Sequence, residues 1–313
     1  MYPLKLNNLY CDKVWGGRDL ELFRDNLPQG DIGESWDVAC HSHGVSVVAN
    51  CEFTGMRLDE LIELKGEKLL GRKLVGSAFP LLMKLINSKD KLSVQVHPND
   101  EYGQRIEGEP GKTEAWYVVE AFEGANLIVG TKECTKEQFK EALENGKLDV
   151  LLNKVEVKKG DVFFIESGLV HAIGEGVIIA EIQQSSDTTY RVFDYNRGRE
   201  IHVEKALDVI DFSLRGQRSE AIILESGSDY DKLEYCRCKY FILQMYDIKK
   251  SCKLETDYEV FEIYTCIEGN GEIAWKGGIE KVKMGDSIII PASLGDYEII
   301  GRLKLLKSYI PYQ

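Results

Sequence analysis

Lys159-Gly160-Asp161-Val162-Phe163-Phe164-Ile165 has a counterpart in Lys283-Met284-Gly285-Asp286-Ser287-Ile288-Ile289-Ile290-Pro291. Each piece is a turn of Lys, Gly and Asp running into a short apolar strand. Upstream, Glu114-Ala-Trp-Tyr-Val-Val-Glu-Ala-Phe-Glu123-Gly124 matches Glu259-Val-Phe-Glu-Ile-Tyr-Thr-Cys-Ile-Glu268-Gly269, which sets Glu259 opposite Glu114. The two matches are further apart in the first copy, by about the length of Thr131–Leu151. One copy therefore reads as the other with a helix inserted in a loop. This predicts two related β-barrels, the first elaborated and the second plain. The polar, Gly-bearing stretches Arg215-Gly-Gln-Arg-Ser219 and Gly227-Ser-Asp-Tyr230 place the boundary, giving units 1–220 and 221–313.

Strand patterns dominate between these landmarks. Pro80–Ile86, Leu92–His97, Ala115–Glu120, Leu127–Gly130, Val162–Ile165, Val177–Ile182 and Tyr190–Tyr195 are short and rich in β-branched and aromatic residues. Asn87–Asp90 reads as a hairpin turn between the first two. Three segments carry helical spacing: Leu58, Leu61, Ile62, Leu69 and Leu70; Phe139, Ala142 and Leu143; and Val203, Ala206, Leu207 and Ile210. Thr135 and Gln138 form a capping box for the second, and Asn145-Gly146 stops it.

The chain has 313 residues, 39 Lys and Arg against 52 Asp and Glu, and a net charge of −13 at pH 7. Nucleic acid recognition needs a basic stripe, and none is visible. No apolar run is long enough to span a bilayer, and the start lacks the apolar region of a secretory signal. These features predict a cytoplasmic protein. The eight cysteines form no Cys-x-x-Cys pair, which excludes zinc-finger and thioredoxin readings and predicts buried free thiols.

One constellation carries chemistry. Gln95 and His97 are two apart on a strand and share a face. Lys112 and Glu114 do the same at the start of the next strand. His171 follows the turn Glu166-Ser-Gly168. Gln95, His97, Glu114 and His171 together offer two imidazoles, a carboxylate and an amide oxygen, a first shell for zinc or another divalent cation. The same spacing also serves packed, hydrogen-bonded histidines. In the second copy Asp296 stands near the place of His171, and no His follows His202, so a metal there is not expected.

Gln-x-His-Pro, then Lys-x-Glu, then Gly-x-x-His-Ala, then an Arg resembles the order in type I mannose-6-phosphate isomerases of the short bacterial form. The likeness runs over essentially the whole chain. Trp15-Gly16-Gly17, Gly33-Glu34-Ser35-Trp36, Gln95-Val-His-Pro-Asn-Asp100, Gly111-Lys-Thr-Glu-Ala-Trp-Tyr117, Ser167-Gly-Leu-Val-His-Ala172 and Ser186-Asp-Thr-Thr-Tyr-Arg-Val-Phe-Asp-Tyr-Asn-Arg197 support it. The resemblance implies a cupin fold of the jelly-roll kind, with helical insertions in the first barrel and no metal in the second. It implies one zinc ion per chain on Gln95, His97, Glu114 and His171, and interconversion of mannose 6-phosphate and fructose 6-phosphate. The family's catalytic arginine maps onto Arg191, and Lys84, Lys112 and Glu181 fall on other active-site positions.

The residue types suit that reaction. An enediol intermediate develops negative oxygens, which zinc and Arg191 can stabilise. Glu181 and a metal-bound water are both candidates for the base. Lys84 and Lys112 can offset a phosphate in an acidic chain. Each also has a plainer reading: Arg191 in an ion pair with Asp187 or Asp194, Glu181 as an outward strand residue, Lys112 as a solvated turn residue. Lys84 alternates onto the face opposite Met83, which favours a functional role. His41, His43 and His202 stay unassigned. The alternative functions are a non-catalytic sugar-phosphate-binding cupin and another metal-dependent cupin enzyme, such as an iron oxygenase.

Overall fold

The computed structural model describes residues 1–25 and 27–311. Its first unit sets two antiparallel sheets against each other. One has six strands in the order Val162–Ile165, Glu114–Ala121, Val177–Gln184, Leu81–Ser88, Ile32–Val38, Leu9–Gly17. The other has five, in the order Leu152–Glu156, Asn126–Thr131, His171–Ile173, Val94–Val96, Tyr190–Phe193. Strand alternation divides each sheet's side chains between two faces. Trp15, Ile86, Trp116, Val118, Phe163 and Ile179 meet Leu127, Val129 and Ile173 between the sheets. The intervening residues Met83, Leu85, Ala115, Tyr117, Ala180 and Ile182 face away, into a core shared with Leu58, Leu61, Leu69 and Leu70.

The helices form where the apolar spacing puts them, at Leu58–Lys65, Lys136–Glu144 and Val203–Val209, except that the first stripe breaks at Gly66 (φ 44°) and leaves Leu69 and Leu70 on a separate short helix, Glu67–Leu70. The Thr135 capping box is present, with Gln138 N donating to Thr135 Oγ1 at 3.2 Å and Thr135 N to Gln138 Oε1 at 2.9 Å. A further helix, Asp100–Ile106, starts from an Asn99 side chain that accepts from Tyr102 N. The expected hairpin at Asn87–Asp90 does not form. Asn87 and Ser88 still belong to Leu81–Ser88, and the chain then crosses to the opposite sheet, with Lys89 N and Asp90 N donating to Trp15 O. All eight cysteines are free thiols, but only Cys252 and Cys266 are buried, and Cys51 is exposed.

The second unit supplies eight strands of a ten-stranded sheet that Leu4–Asn7 and Val47–Val48 complete, and its outer face joins the shared core through Phe241, Leu243, Phe261, Ile263 and Ile289. Phe79 stacks on Phe261 with ring centroids 4.8 Å apart. The first strand of the chain, Leu4–Asn7, also pairs into this sheet, with Leu4 opposite Ile289.

The internal repeat is visible in the pairing. The neighbour order Val162–Ile165, Glu114–Ala121, Val177–Gln184, Leu81–Ser88 recurs as Ser287–Ile290, Glu262–Trp275, Asp296–Tyr309, Ile242–Ile248. Register corrects two of the sequence matches. Glu114 lies opposite Ile165 and Glu262 opposite Ile290, so Glu262, not Glu259, is the counterpart of Glu114. His171 lies opposite Gln95 and Tyr297 opposite Leu254, so Tyr297, not Asp296, takes the place of His171. Glu181 faces Trp116 and Lys84, whereas Lys307 faces Tyr264 and Gln244.

Candidate active site

The inward faces of the two sheets bring the predicted residues together. Glu114 and Glu181 come from the six-stranded sheet, His171 and Gln95 from the five-stranded one, and His97 and Lys112 from the segments just after and just before their strands. His97, Glu114 and His171 are buried, and one ligand atom from each lies within 4.8 Å of the others. His97 Nδ1 is 3.0 Å from the Thr188 carbonyl and His171 Nδ1 2.9 Å from the Leu169 carbonyl. A carbonyl only accepts, so each Nδ1 carries the proton and each Nε2 presents a lone pair. Those two Nε2 atoms face each other at 3.1 Å. Glu114 Oε2 is 3.5 Å from His97 Nε2, and Oε1 is 3.7 Å from His171 Nε2.

Neither oxygen of Glu114 has a hydrogen-bond partner among the described residues, although both are buried. Lys112 Nζ donates to His97 Nε2 at 3.1 Å and stands 3.3 Å from Glu114 Oε2. Both Glu114 oxygens are orphaned in a buried space where two imidazole lone pairs converge, each met by a single donor, Lys112 or Gln95; the unsatisfied carboxylate is costly for protein alone and the converging set suits a divalent cation. The residues therefore fit a metal ion. Gln95 is next to them, with its amide 3.2 Å from His171 Nε2. Rotating that amide by half a turn presents the oxygen instead, and the nitrogen then meets Ser93 Oγ, now 3.3 Å from Gln95 Oε1.

Burial keeps both imidazoles neutral. It pushes His97 well below its ordinary value, helped by the Lys112 charge. It brings His171 down to about 4.

A cavity of about 120 Å³ reaches this cluster through Gln95 and Lys112. Lys84, Lys112, Glu181 and Arg191 all line it. Lys84 and Glu181 are 3% exposed, and Lys112 is 5% exposed, so none is a solvated surface residue. Glu181 accepts from Trp116 Nε1 at 2.8 Å and stands 3.8 Å from Lys84 Nζ. Burial, with the nearby Glu114 charge, raises its carboxyl to about 7 against the pull of Lys112 and Lys84. Burial alone would lower the Lys112 ammonium, but Glu114, Glu181 and Asp187 together raise it. Lys84 also lies over the Trp36 ring at 4.8 Å.

Arg191 is not in the ion pair that its neighbours suggest. Asp194 takes hydrogen bonds from Arg197 and Arg199 instead. The Arg191 guanidinium has no hydrogen bond or ion pair among the described residues, and its Nε is buried without one.

Sequence reasoning missed Lys13, Glu34, Asp187 and Arg199, which line the same cavity. Glu34 and Asp187 sit in stretches that the resemblance quotes, but charge in a loop or sheet margin has no periodicity to mark it. The unassigned histidines have partners. His41 Nε2 is 3.2 Å from Glu109 Oε1, His43 Nδ1 is 3.0 Å from Asp187 Oδ2, and His202 Nδ1 accepts from Arg191 N at 3.3 Å.

A model of the type I phosphomannose isomerase catalytic domain matches residues 4–121, and one of the mannose-6-phosphate isomerase cupin domain matches residues 231–310. Mannose-6-phosphate isomerase ManA of Bacillus subtilis is 36% identical over 315 residues, covering 98% of this chain and 99% of its own. A mannose-6-phosphate isomerase of Streptococcus mutans is 36% identical over 316 residues, 98% of each. The crystal structure of mannose 6-phosphate isomerase from Bacillus subtilis superposes with a TM-score of 0.92 at 33% identity, over 99% of this chain and 100% of that one. A variant of phosphomannose isomerase from Salmonella typhimurium, 17% identical with a TM-score of 0.81 over 99% of this chain and 100% of that one, shares the fold. With a mostly β architecture and a cupin domain, the chain belongs to the type I mannose-6-phosphate isomerases, a family of aldose–ketose isomerases.

Proposed function

We propose that the protein interconverts mannose 6-phosphate and fructose 6-phosphate through an enediol, with one zinc ion per chain held by His97, Glu114, His171 and Gln95. The observation that carries this reading is the pair of unsatisfied Glu114 oxygens facing two imidazole lone pairs beside a polar cavity. Zinc, when bound, supplies a Lewis acid that polarises the sugar's C1 and C2 oxygens. Two histidines and one carboxylate serve zinc and also make the iron(II) facial triad, so the choice of zinc over the iron reading rests on family membership and on Gln95 as a fourth donor.

The chain's residues then divide the work. Glu181 has its carboxyl near neutrality, so it can take the proton from C2 of the open aldose and return it to C1. The C1 carbonyl becomes a hydroxyl and the C2 hydroxyl a carbonyl, with no net gain or loss of electrons. Arg191 donates to the oxygen that gains charge in the intermediate and stays protonated throughout. Lys112 stays cationic beside the cluster, and Lys84 and Lys112 offset the phosphate's charge. Five cationic and three acidic side chains line the cavity, a local positive balance inside a chain of net charge −13. The catalytic unit is 1–220 and the metal-free unit 221–313, and the setting is the cytoplasm.

The test supplies mannose 6-phosphate to the zinc-loaded protein in deuterium oxide and follows fructose 6-phosphate by a coupled assay and by NMR. Product carrying deuterium at C1 is expected. Absence of turnover at one equivalent of zinc overturns the isomerase assignment and leaves a sugar-phosphate-binding protein.

A further inference from the structure

Glu109 lies outside the cavity and outside every motif quoted above, yet four donors converge on it. Its Oε2 accepts from Ser186 Oγ at 3.2 Å, Asp187 N at 3.2 Å and Thr188 Oγ1 at 3.0 Å. Its Oε1 faces His41 Nε2 at 3.2 Å. The tautomer of His41 follows, because its Nδ1 accepts from His43 N at 3.1 Å and so leaves the proton on Nε2. One carboxylate therefore holds three successive residues, 186 to 188, through two side chains and a backbone amide.

That turn does two things for the site. The Thr188 carbonyl accepts from His97 Nδ1 at 3.0 Å, which fixes the ring and aims its Nε2 at the cluster. Asp187 points into the cavity and accepts from His43 Nδ1 at 3.0 Å. Glu109 also sits on the short approach to Lys112 and Glu114, so it couples the two segments that supply opposite sides of the cluster. Replacing a group that orients a ligating histidine typically costs about 10- to 100-fold in metal affinity.

We propose that Glu109 is a positioning residue for the metal centre, acting on His97 through the 186–188 turn and the Thr188 carbonyl. The inference rests on the metal reading above. Hydrogen bonds of 3.0–3.2 Å join the Glu109 carboxylate to the Thr188 hydroxyl and Asp187 amide and the Thr188 carbonyl to His97 Nδ1, and the covalent backbone of 187–188 joins the two ends. The other clusters outside the site offer no such path. The 540 Å³ cavity beside Phe79 and Tyr240 is lined by His41 and Glu109 themselves, whose polar atoms already serve the 186–188 turn, and nothing shows what would cover the exposed edge strand Ile222–Ser226.

The experiment measures zinc affinity by chelator competition for the full-length wild type, Glu109→Ala and Glu109→Gln, with the thermal midpoint of each zinc-free protein recorded alongside. The wild type takes one equivalent, and Glu109→Ala binds zinc about ten- to a hundredfold more weakly. Glu109→Gln falls between, because one amide oxygen can still accept while its NH2 cannot. A merely structural role would lower the zinc-free midpoint and leave affinity alone. Unchanged affinity in both variants overturns the inference while the metal reading stands. Should Glu109→Ala fail to fold, Glu109→Gln alone decides by the same criterion. No zinc uptake by the wild type overturns the metal reading and this inference together.

Discussion

Asp194 is occupied by Arg197 and Arg199, so Arg191 is left with its charge facing the cavity and no structural duty to perform. Removing it should leave fold and metal intact. Arg191→Ala is expected to retain stoichiometric zinc and the wild-type thermal midpoint while turnover falls by about 10²-fold or more, the usual loss for a donor aimed at developing charge. Near wild-type turnover in that variant contradicts the assignment. The two imidazoles give a second prediction at the same scale. Depressed values mean that the neutral, ligating forms persist to lower pH than free imidazole allows, with His171 protonating only near 4. Protons then compete with zinc later in an acid titration. Zinc content after dialysis at stepwise pH should hold as pH falls past the ordinary histidine range, near 6.5. Loss that follows an ordinary imidazole titration contradicts the buried, neutral pair.

Among the elements, Lys307 does in the second unit what a metal would do in the first. Glu262 occupies the position of Glu114, and its oxygens are satisfied by Lys307 Nζ at 2.6 Å and Tyr297 OH at 2.8 Å. Tyr297 itself stands in the place of His171. The ammonium is enclosed by Tyr246, Tyr264 and Tyr309, with its Nζ 5.0–5.9 Å from their centroids. Lys307→Met should strand a buried carboxylate and cost about 3–5 kcal/mol in denaturant unfolding, with zinc affinity unchanged. Adding Glu262→Gln should recover part of that loss. A single variant as stable as the wild type contradicts the pairing. This pair also shows where sequence reading stops. The strands and three helices were legible because burial on one face imposes period 2 or 3.6. Glu259-Val-Phe-Glu262 offers two glutamates, and alternation alone cannot choose between them; only the register with Ile290 does. The Asn87–Asp90 hairpin failed for a related reason, since alternation looks the same whether the next strand pairs in the same sheet or crosses to the other. His97, Glu114 and His171 were legible by spacing, whereas Asp187 and Glu109 sit in segments where nothing repeats.

At the scale of the whole molecule, the second unit and the helix Leu58–Lys65 cover the outer face of the six-stranded sheet, the helices Lys136–Glu144 and Val203–Val209 pack on the five-stranded one, and the inner face keeps the charged site. Phe79 against Phe261, and the strand Leu4–Asn7 paired beside Ser287–Ile290, tie the two units into one body. The sheet that carries Glu114, Glu181 and Lys84 is thus packed on both sides, which holds these side chains in place before substrate arrives. No helix is long and apolar enough to cross a membrane among the described residues. The most direct test of the account strips the protein with a chelator, returns zinc in fractions of an equivalent, and records bound metal and mannose 6-phosphate turnover on the same samples. The account predicts no turnover without metal and a linear return that levels off at one zinc per chain. Full turnover in the stripped protein, or none at one bound equivalent, contradicts it.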